Sequence, residues 1–255
     1  MGGGQCAILR TSSGQTFVFD AGTRSQQDVY EGVIRPFLRD ERLPVPTAAF
    51  VSHENADHYG AIAPMARHGG LDRVYLNDYF GTAGQIPPLV KDFFAAMSER
   101  DVPVFRLHAG DRVRLDDATD VEVLWPPAQR MDNPSANDTS LVLRVRCGGK
   151  SALLTGDLEA LGQAAVAGEA VRCDVLLLPH HGGWENTLPG FLHAAKPRFV
   201  LLSNWRDPQA PGEPESPRAR FYAEVQSRYR YYSTARNGWI QVRLGEGDIE
   251  VKTMK

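Results

Sequence analysis

Short apolar runs alternate with turn-forming residues along the first third of the chain. Residues 7–11 and 16–20 are two such runs separated by a Ser-Ser-Gly turn, which predicts adjacent strands. Residues 29–39 then repeat apolar side chains at helical spacing, and a short buried strand is predicted at 48–52. The predicted apolar face of the helix consists of Val29, Val33, Ile34, Phe37 and Leu38.

Later segments combine hairpins with long crossovers, which indicates two sheets covered by helices. Further strands are predicted at 121–125, 141–146, 152–155, 174–178, 199–202, 231–234, 239–244 and 249–253, and helices at 158–167 and 218–229. Gly148-Gly149 and Asn237-Gly238 are typical of tight hairpin turns, and the second is the stronger pattern. Loops are predicted at 78–88 and 207–217. This arrangement predicts an α+β layered domain.

Composition places this chain among ordinary globular proteins. It has 255 residues, 42% of them hydrophobic and 23% charged, which suits one domain over residues 1–255. The formal net charge of −3 predicts no bulk attraction to nucleic acid, so any polyanion site must be a local patch. No apolar run reaches the roughly 20 residues that span a bilayer. Cys6, Cys147 and Cys173 lack zinc or disulfide spacing and are expected to be free thiols.

Metal-ligating residue types collect in three short segments, each directly after a predicted strand. Segment 52–58 reads Ser-His-Glu-Asn-Ala-Asp-His, and imidazole and carboxylate groups suit zinc, manganese or iron. Asp157 follows the strand at 152–155, and His180-His181 follows the strand at 174–178. If the three strands end at one edge of a sandwich, these side chains meet in one cleft.

Each segment also has a simpler interpretation. Asp57 could cap a helix beginning near His58, which would leave the histidines of this segment on the surface. Asp157 could cap the helix predicted from 158, and the paired histidines could be polar residues of a turn. These interpretations weaken when the three segments are taken together, because all of them follow apolar strands.

The same segments resemble the metallo-β-lactamase superfamily, and most closely the hydrolase domain of ComEC-type competence proteins. The matching features are the Asp-Ala-Gly turn at 20–22, the loop at 53–58, the Asn-x-x-Ser strand start at 137–140, Gly156-Asp157 and the His-His-Gly turn at 180–182. The likeness extends from about Gly4 to the C-terminus. It implies a four-layer αββα sandwich and a metal-dependent hydrolase, specifically a phosphodiesterase or nuclease that acts on single-stranded DNA.

The resemblance also implies roles for individual residues. It places Asp57, His58 and His181 on one divalent ion, zinc or manganese, with Asp157 bridging to a second. A bound divalent metal lowers the pKa of water towards about 7 and so supplies hydroxide. His180 would lie beside the scissile phosphate and donate a proton to the leaving oxygen, so His180 and Asp57 are the expected catalytic residues.

The chain departs from the family at the second metal site. There the resemblance implies His53 as a ligand, with Asn55 and Asn137 as weak ligands. Relatives have Asp or His at position 55, and many have His near position 137. Gly183 replaces a serine, and Ser216-Pro217 stands where a His-Pro pair is usual. These changes leave one or two ions as alternatives, and also allow a catalytically degenerate binding module.

The last quarter of the chain carries modest support for a nucleic-acid partner. Between positions 196 and 236 there are eight lysines and arginines but only four acidic residues. The interleaved aromatics are Trp205, Phe221, Tyr222, Tyr229, Tyr231 and Tyr232. Single-strand binders combine charge and stacking in this way, although a surface helix with its aromatic face in the core gives the same pattern.

Substrate and location have further alternatives. A lactone, thioester or β-lactam substrate is disfavoured, because relatives of that kind usually carry histidines at positions 55 and 137. ComEC-type domains begin with a full strand, of which only Met1–Gly3 could remain here, so the chain is expected to lack its first strand or to be a fragment. A free-standing chain would be cytoplasmic, and a fragment of a ComEC-like protein would face the extracytoplasmic side.

Overall fold

The computed structural model describes residues 3–24, 28–82, 84–168, 171–206 and 216–254. The strands are β1 (Cys6–Arg10), β2 (Thr16–Ala21), β3 (Ala48–Phe50), β4 (Arg73–Asn77), β5 (Val104–Leu107), β6 (Arg112–Arg114), β7 (Thr119–Trp125), β8 (Val142–Cys147), β9 (Lys150–Leu154), β10 (Val175–Leu177), β11 (Phe199–Leu202), β12 (Arg230–Ser233), β13 (Trp239–Arg243) and β14 (Glu250–Met254). The helices are α1 (Arg35–Asp40), α2 (Ala56–Tyr59), α3 (Ile62–Arg67), α4 (Pro88–Glu99), α5 (Ala160–Ala167), α6 (Leu188–Ala195), α7 (Pro217–Arg228) and α8 (Thr234–Asn237).

Two large sheets and one two-stranded sheet contain these strands. The first has the order β1-β2-β3-β4-β5, and the second has the order β12-β11-β10-β9-β8-β7-β6. Strands β2 to β5 are parallel to one another, as are β9 to β12. The carboxyl ends of each parallel set therefore lie at one edge of their sheet, where loops with polar side chains can meet.

Alternation along the strands shows how the sheets are layered, because neighbouring residues of a strand face opposite sides. Phe17 and Phe19 of β2 share a buried cluster with Leu143 of β8, so this cluster lies between the two sheets. Val18 of β2 belongs instead to a cluster with the helices of the first half, and Val142 of β8 to one with helices of the second half. Each sheet is therefore buried on both faces.

Helices form the two outer layers. The residues they bury are, among others, Leu38, Met65 and Phe93 over the first sheet, and Val166, Phe191 and Tyr222 over the second. The predicted α+β, four-layer αββα sandwich is thereby confirmed. Within the described residues, none of the helices has the length and hydropathy required to cross a bilayer.

Local turn chemistry explains one hairpin prediction and overturns another. Strands β8 and β9 pair through Gly148 and Gly149, both at positive φ, as predicted. The hairpin predicted at Asn237-Gly238 is wrong. Strand β12 pairs in parallel with β11, and β13 pairs with β14. The Asn237 side chain accepts a hydrogen bond from the Ser233 amide at 3.1 Å, and so closes the short helix α8 rather than a hairpin turn.

The helix predicted at 29–39 differs from the structure in its first turn. The helix predicted at 29–39 begins with a π-helical turn, Tyr30–Ile34, before α1. The wider turn brings Tyr30 into the core and leaves Val33 43% exposed, so Val33 was wrongly assigned to the buried face. Of the predicted 207–217 loop, residues 207–215 lie outside the described residues.

Candidate metal centre

The three polar segments follow the carboxyl ends of one parallel strand in the first sheet and two in the second. Segment 52–58 follows β3, Asp157 follows β9, and His180 and His181 follow β10. The two sheets are joined at this edge by a hydrogen bond from the Leu141 amide, just before β8, to the Ser52 carbonyl at 2.9 Å. Asn77, at the end of β4, adds a second link because its side-chain amide donates to the carbonyls of both Ser52 and Thr139 at 2.8 Å. The loops of both sheets therefore open into one cleft.

Four side chains from these loops form a compact cluster. Asp57, His58, Asp157 and His181 each offer one ligand atom, and these atoms lie within 4.8 Å of one another. His58 Nε2 is 3.1 Å from Asp157 Oδ1, and His181 Nε2 is 3.6 Å from both Asp57 Oδ2 and Asp157 Oδ1. Two imidazoles and two carboxylates are a donor set suited to zinc or manganese.

Several buried polar atoms at this cluster have no hydrogen-bond partner among the described residues. They are His53 Nε2, His58 Nε2, Asp157 Oδ1, Asp157 Oδ2 and His181 Nε2. A buried polar group left unpaired costs about 1–3 kcal/mol, and a charged group costs more. The four atoms on His58, Asp157 and His181 belong to the cluster, so one ligand can satisfy them together, and the donor set fits a cation.

The opposite ring nitrogen of each histidine is held by the protein. His58 Nδ1 is 2.8 Å from Asp20 Oδ2, and His181 Nδ1 is 3.0 Å from the Ser203 carbonyl oxygen. His53 Nδ1 lies near two serine hydroxyl groups, Ser52 at 2.9 Å and Ser140 at 3.3 Å. Because Nδ1 is engaged in all three rings, Nε2 is the atom that each presents to the cleft.

The electrostatics of the cluster favour a positive charge at its centre. Burial lowers the pKa of His58, but the charges of Asp20 and Asp157 outweigh it and raise the pKa to about 10. Burial raises the pKa of Asp57, but the nearby His181 imidazole and the positive charges of His58 and Arg24 lower it to about 2. The carboxylates are therefore ionised at neutral pH and draw positive charge between them.

Arg24 supplies one such charge from the rim of the cleft. Its Nε is 2.8 Å from Asp57 Oδ2, while 64% of its side chain remains exposed. The guanidinium thus touches a carboxylate of the cluster with one edge and faces solvent with the rest. This geometry leaves further donors for an anion that enters the cleft.

The side of the cleft around His53 is built differently. His53 is fully buried, and burial together with the neighbouring His58 lowers its pKa to about 3, so the ring is neutral. Asn55 and Asn137 face each other, with Asn55 Nδ2 donating to Asn137 Oδ1 at 2.8 Å. The oxygen of Asn137, its only ligand-type side-chain atom, is therefore already used as an acceptor. Neither asparagine joins the four-residue cluster.

His180 lies on this second side rather than in the cluster. It is about 29% exposed, and its Nδ1 is 3.5 Å from Glu159 Oε1. Its Nε2 is 3.4 Å from the Asn137 amide nitrogen. Glu159, His180 and Glu185 form a second, more exposed group of ligand-type side chains. A half-exposed imidazole beside a carboxylate is well placed for proton transfer at the open side of the cleft.

Backbone geometry brings the loops into contact. A Cβ on Gly22 would collide with the backbone of Ala56 and Asp57, so only glycine lets the end of β2 pass this close to α2. His180 and His181 both have positive φ, 52° and 48°. Non-glycine residues persist in this conformation only where the surrounding structure enforces it, which is common at functional sites.

The helix-capping alternatives for Asp57 and Asp157 are wrong. Asn55 occupies the position before α2, and Asp57 and His58 lie inside that helix, both buried. Helix α5 begins at Ala160, after Asp157.

The side chain that sequence reasoning missed is Asp20, which is fully buried and holds His58. It belongs to the Asp-Ala-Gly turn, which was recognised as a family feature without a role for its carboxylate. The serines at 52, 140 and 203 were missed because hydroxyl and carbonyl groups carry no distinctive spacing.

A mixed αββα sandwich with a histidine–aspartate cluster at one edge defines a class of metal-binding proteins. The profile of the family described as "Beta-lactamase superfamily domain" matches residues 15–198. This chain therefore belongs to that superfamily.

Its relatives include competence proteins. "ComE operon protein 3" of Bacillus subtilis (strain 168) is 30% identical over 175 residues, covering 68% of this chain and 22% of that protein. "Competence protein ComA" of Neisseria gonorrhoeae is 25% identical over 264 residues, covering 100% and 33%. The chain thus spans a third or less of these relatives. The solved structure of Igni18, "a novel metallo hydrolase" from Ignicoccus hospitalis, shares the fold with a TM-score of 0.54 and 13% identity, covering 99% of this chain and 97% of that one.

Proposed function

We propose that this chain is a metal-dependent phosphodiesterase that hydrolyses single-stranded DNA. The observation that carries the metal requirement is the set of unpaired buried atoms on His53, His58, Asp157 and His181. Membership of the superfamily supports hydrolysis, and the names of the competence-protein relatives support DNA as the substrate.

Asp57, His58, Asp157 and His181 would hold one zinc or manganese ion. When bound, such an ion polarises a phosphoryl oxygen and lowers the pKa of water so that hydroxide is available at neutral pH. Asp20 and Ser203 would fix the ring orientation of His58 and His181, because each engages the Nδ1 atom of its histidine. A second ion at His53 would be held weakly, since the neighbouring amides bond to each other.

His180 and Arg24 would act on the substrate directly. His180 reaches the open side of the cleft and, when protonated, can give its proton to the leaving oxygen, a contribution of typically 10²–10⁴-fold in rate. Arg24 offers guanidinium donors to a non-bridging phosphate oxygen from the opposite rim. Asp57 would contribute as a ligand that also touches Arg24.

A binding module without catalysis is the second candidate, and the Asn55–Asn137 pair favours it. Neutral amides replace ligands that binuclear relatives use, so turnover could have been lost while DNA binding remained. A lactone, thioester or β-lactam substrate is less consistent with this cleft, because the histidines typical of that chemistry are missing at both positions.

The deciding experiment combines metal content with cleavage. The purified chain is analysed by inductively coupled plasma mass spectrometry and then incubated with labelled single-stranded DNA plus manganese or zinc. One bound ion with cleavage that a chelator stops would support the mononuclear phosphodiesterase. Bound metal without cleavage of single-stranded DNA would support the binding module, and a chain that binds no metal would contradict both the cluster assignment and the proposed reaction.

A further inference from the structure

One exposed aromatic residue, Trp205, follows the segment that contacts His181 of the candidate metal centre. Trp205 is 57% exposed, the highest fraction among the exposed large hydrophobic residues of the described chain. Of the other aromatics in this basic segment, Phe221 and Tyr222 are buried in the core, and Tyr229, Tyr231 and Tyr232 are half-buried. An exposed indole two residues from a contact of His181 is available to a ligand of the candidate site.

The backbone around Trp205 is fixed to the site. The Ser203 carbonyl accepts the hydrogen bond from His181 Nδ1, and Asn204 Nδ2 donates to the His181 carbonyl at 2.6 Å. On its other side, the Asn204 amide donates to Thr234 Oγ1 at 2.9 Å. Two residues span at most about 7 Å, so the Trp205 backbone is held within that distance of Ser203.

Trp205 also carries a cation. The Arg206 guanidinium carbon lies 3.9 Å from the centre of the indole ring, and the Arg206 amide donates to Asn204 Oδ1 at 3.1 Å. The pair therefore combines a flat aromatic surface with a positive charge, and hydrogen bonds of Asn204 hold the backbone on which the two residues lie. Proteins that bind single strands use this combination, with bases stacking on aromatic rings and cations following the phosphates.

We propose that Trp205 and Arg206 form a nucleobase-stacking platform that selects unpaired nucleic acid for the metal centre. The inference rests on the proposed phosphodiesterase only for the identity of the polymer. A base on Trp205, with its phosphate near Arg206, would place an adjacent phosphate towards the cleft. A base inside a duplex is stacked on its neighbours and cannot use the platform, so this contact favours single strands over duplexes.

The test separates base contacts from phosphate contacts. Binding of the metal-loaded chain is measured by fluorescence anisotropy with a labelled oligothymidylate and with an abasic strand of the same length. Trp205→Ala should weaken binding of the thymidylate by about tenfold and leave the abasic strand unchanged. Trp205→Phe, which keeps an aromatic face, should retain most of the affinity.

Phe105→Ala is the matched control, because Phe105 is also exposed, at 47%, but lies on β5, which forms one end of the first sheet. It should bind both strands like the wild type. Equal affinity of the wild-type chain for both strands would overturn the proposal, as would equal weakening of both strands by Trp205→Ala. Cleavage is scored separately. If the chain prefers the thymidylate to the abasic strand but does not cleave it, the platform is supported and the phosphodiesterase is refuted. If the chain cleaves DNA without that preference, the phosphodiesterase is supported and the platform is refuted.

Discussion

The two sides of the cleft share the loop at 52–58 but carry different side chains. On one side Asp57, His58, Asp157 and His181 place charged and imidazole donors within 4.8 Å of one another. On the other side His53 faces an amide pair, in which Asn55 donates to Asn137. A carboxylate must be compensated when it is buried, whereas two amides can satisfy each other. The first side therefore needs a cation, whereas on the second side the two amides bond to each other and the Nε2 atom of His53 stays unpaired.

Replacing Asp157, which lies near both histidines of the cluster, should have the largest effect on metal binding. Asp157→Ala removes a fully buried carboxylate of the cluster, both oxygens of which lack a hydrogen-bond donor among the described residues. We expect the bound metal to fall from one ion per chain to none, measured by mass spectrometry after gel filtration. Asp174→Asn is the control, because that carboxylate accepts a backbone hydrogen bond from Ser151 away from the cleft. Normal metal content in Asp157→Ala would refute the cluster as the metal site.

Replacing His180 should separate catalysis from metal binding. His180 lies outside the four-residue cluster, 3.5 Å from Glu159. His180→Ala should keep one ion per chain and lower the rate of DNA cleavage by about 10²–10⁴-fold, as expected for loss of a general acid. The measurements are metal content and single-turnover cleavage of the same preparation. If the variant loses its metal instead, the roles of the two adjacent histidines have been exchanged.

Asp20 should act on the first side indirectly, by positioning His58. It touches His58 Nδ1 and the Ser52 amide but does not belong to the cluster. Asp20→Asn keeps a neutral acceptor and removes the charge, so we expect zinc affinity to weaken by about 10- to 100-fold. Competition with a chromophoric chelator measures the dissociation constant. Asp116→Asn, at a surface carboxylate bonded to Ser12, provides the comparison. Unchanged affinity in Asp20→Asn would show that the carboxylate does not position the ring.

The contrast between these residues also explains which of them could be predicted from the sequence. His53, Asp57, Asp157 and His181 were identifiable because each follows an apolar strand, and parallel strands bring such positions to one edge. Asp20 lies within β2, near its carboxyl end, and it stands alone rather than in a cluster of ligand-type residues. The partners of the imidazoles come from distant segments, and only the folded chain brings Ser203 to His181.

The hairpin at Asn237-Gly238 shows the limit of local patterns. Asn-Gly favours a tight turn only if both flanking strands lack better partners. Here β12 adds to the edge of the second sheet beside β11, and β13 finds β14. Helix α8 separates β12 from β13, and the Asn237 side chain accepts a hydrogen bond from the Ser233 amide at the start of this helix. Pairing across sheets is decided by burial of whole strands, which a two-residue turn cannot reveal.

The smallest expected effect is a gain on the second side. Asn55→Asp combined with Asn137→His removes the amide pair and offers a carboxylate and an imidazole beside the unpaired Nε2 of His53. We expect the metal content to rise from one to two ions per chain, with the second ion bound more weakly than the first and removed earlier in a chelator titration. Asn55→Ala with Asn137→Ala breaks the same hydrogen bond without adding donors, and it should remain at one ion. If the donor-bearing variant also stays at one ion, then more than the two amides prevents a second metal, and the crowding of His53 between Ser52 and Ser140 becomes the next feature to change.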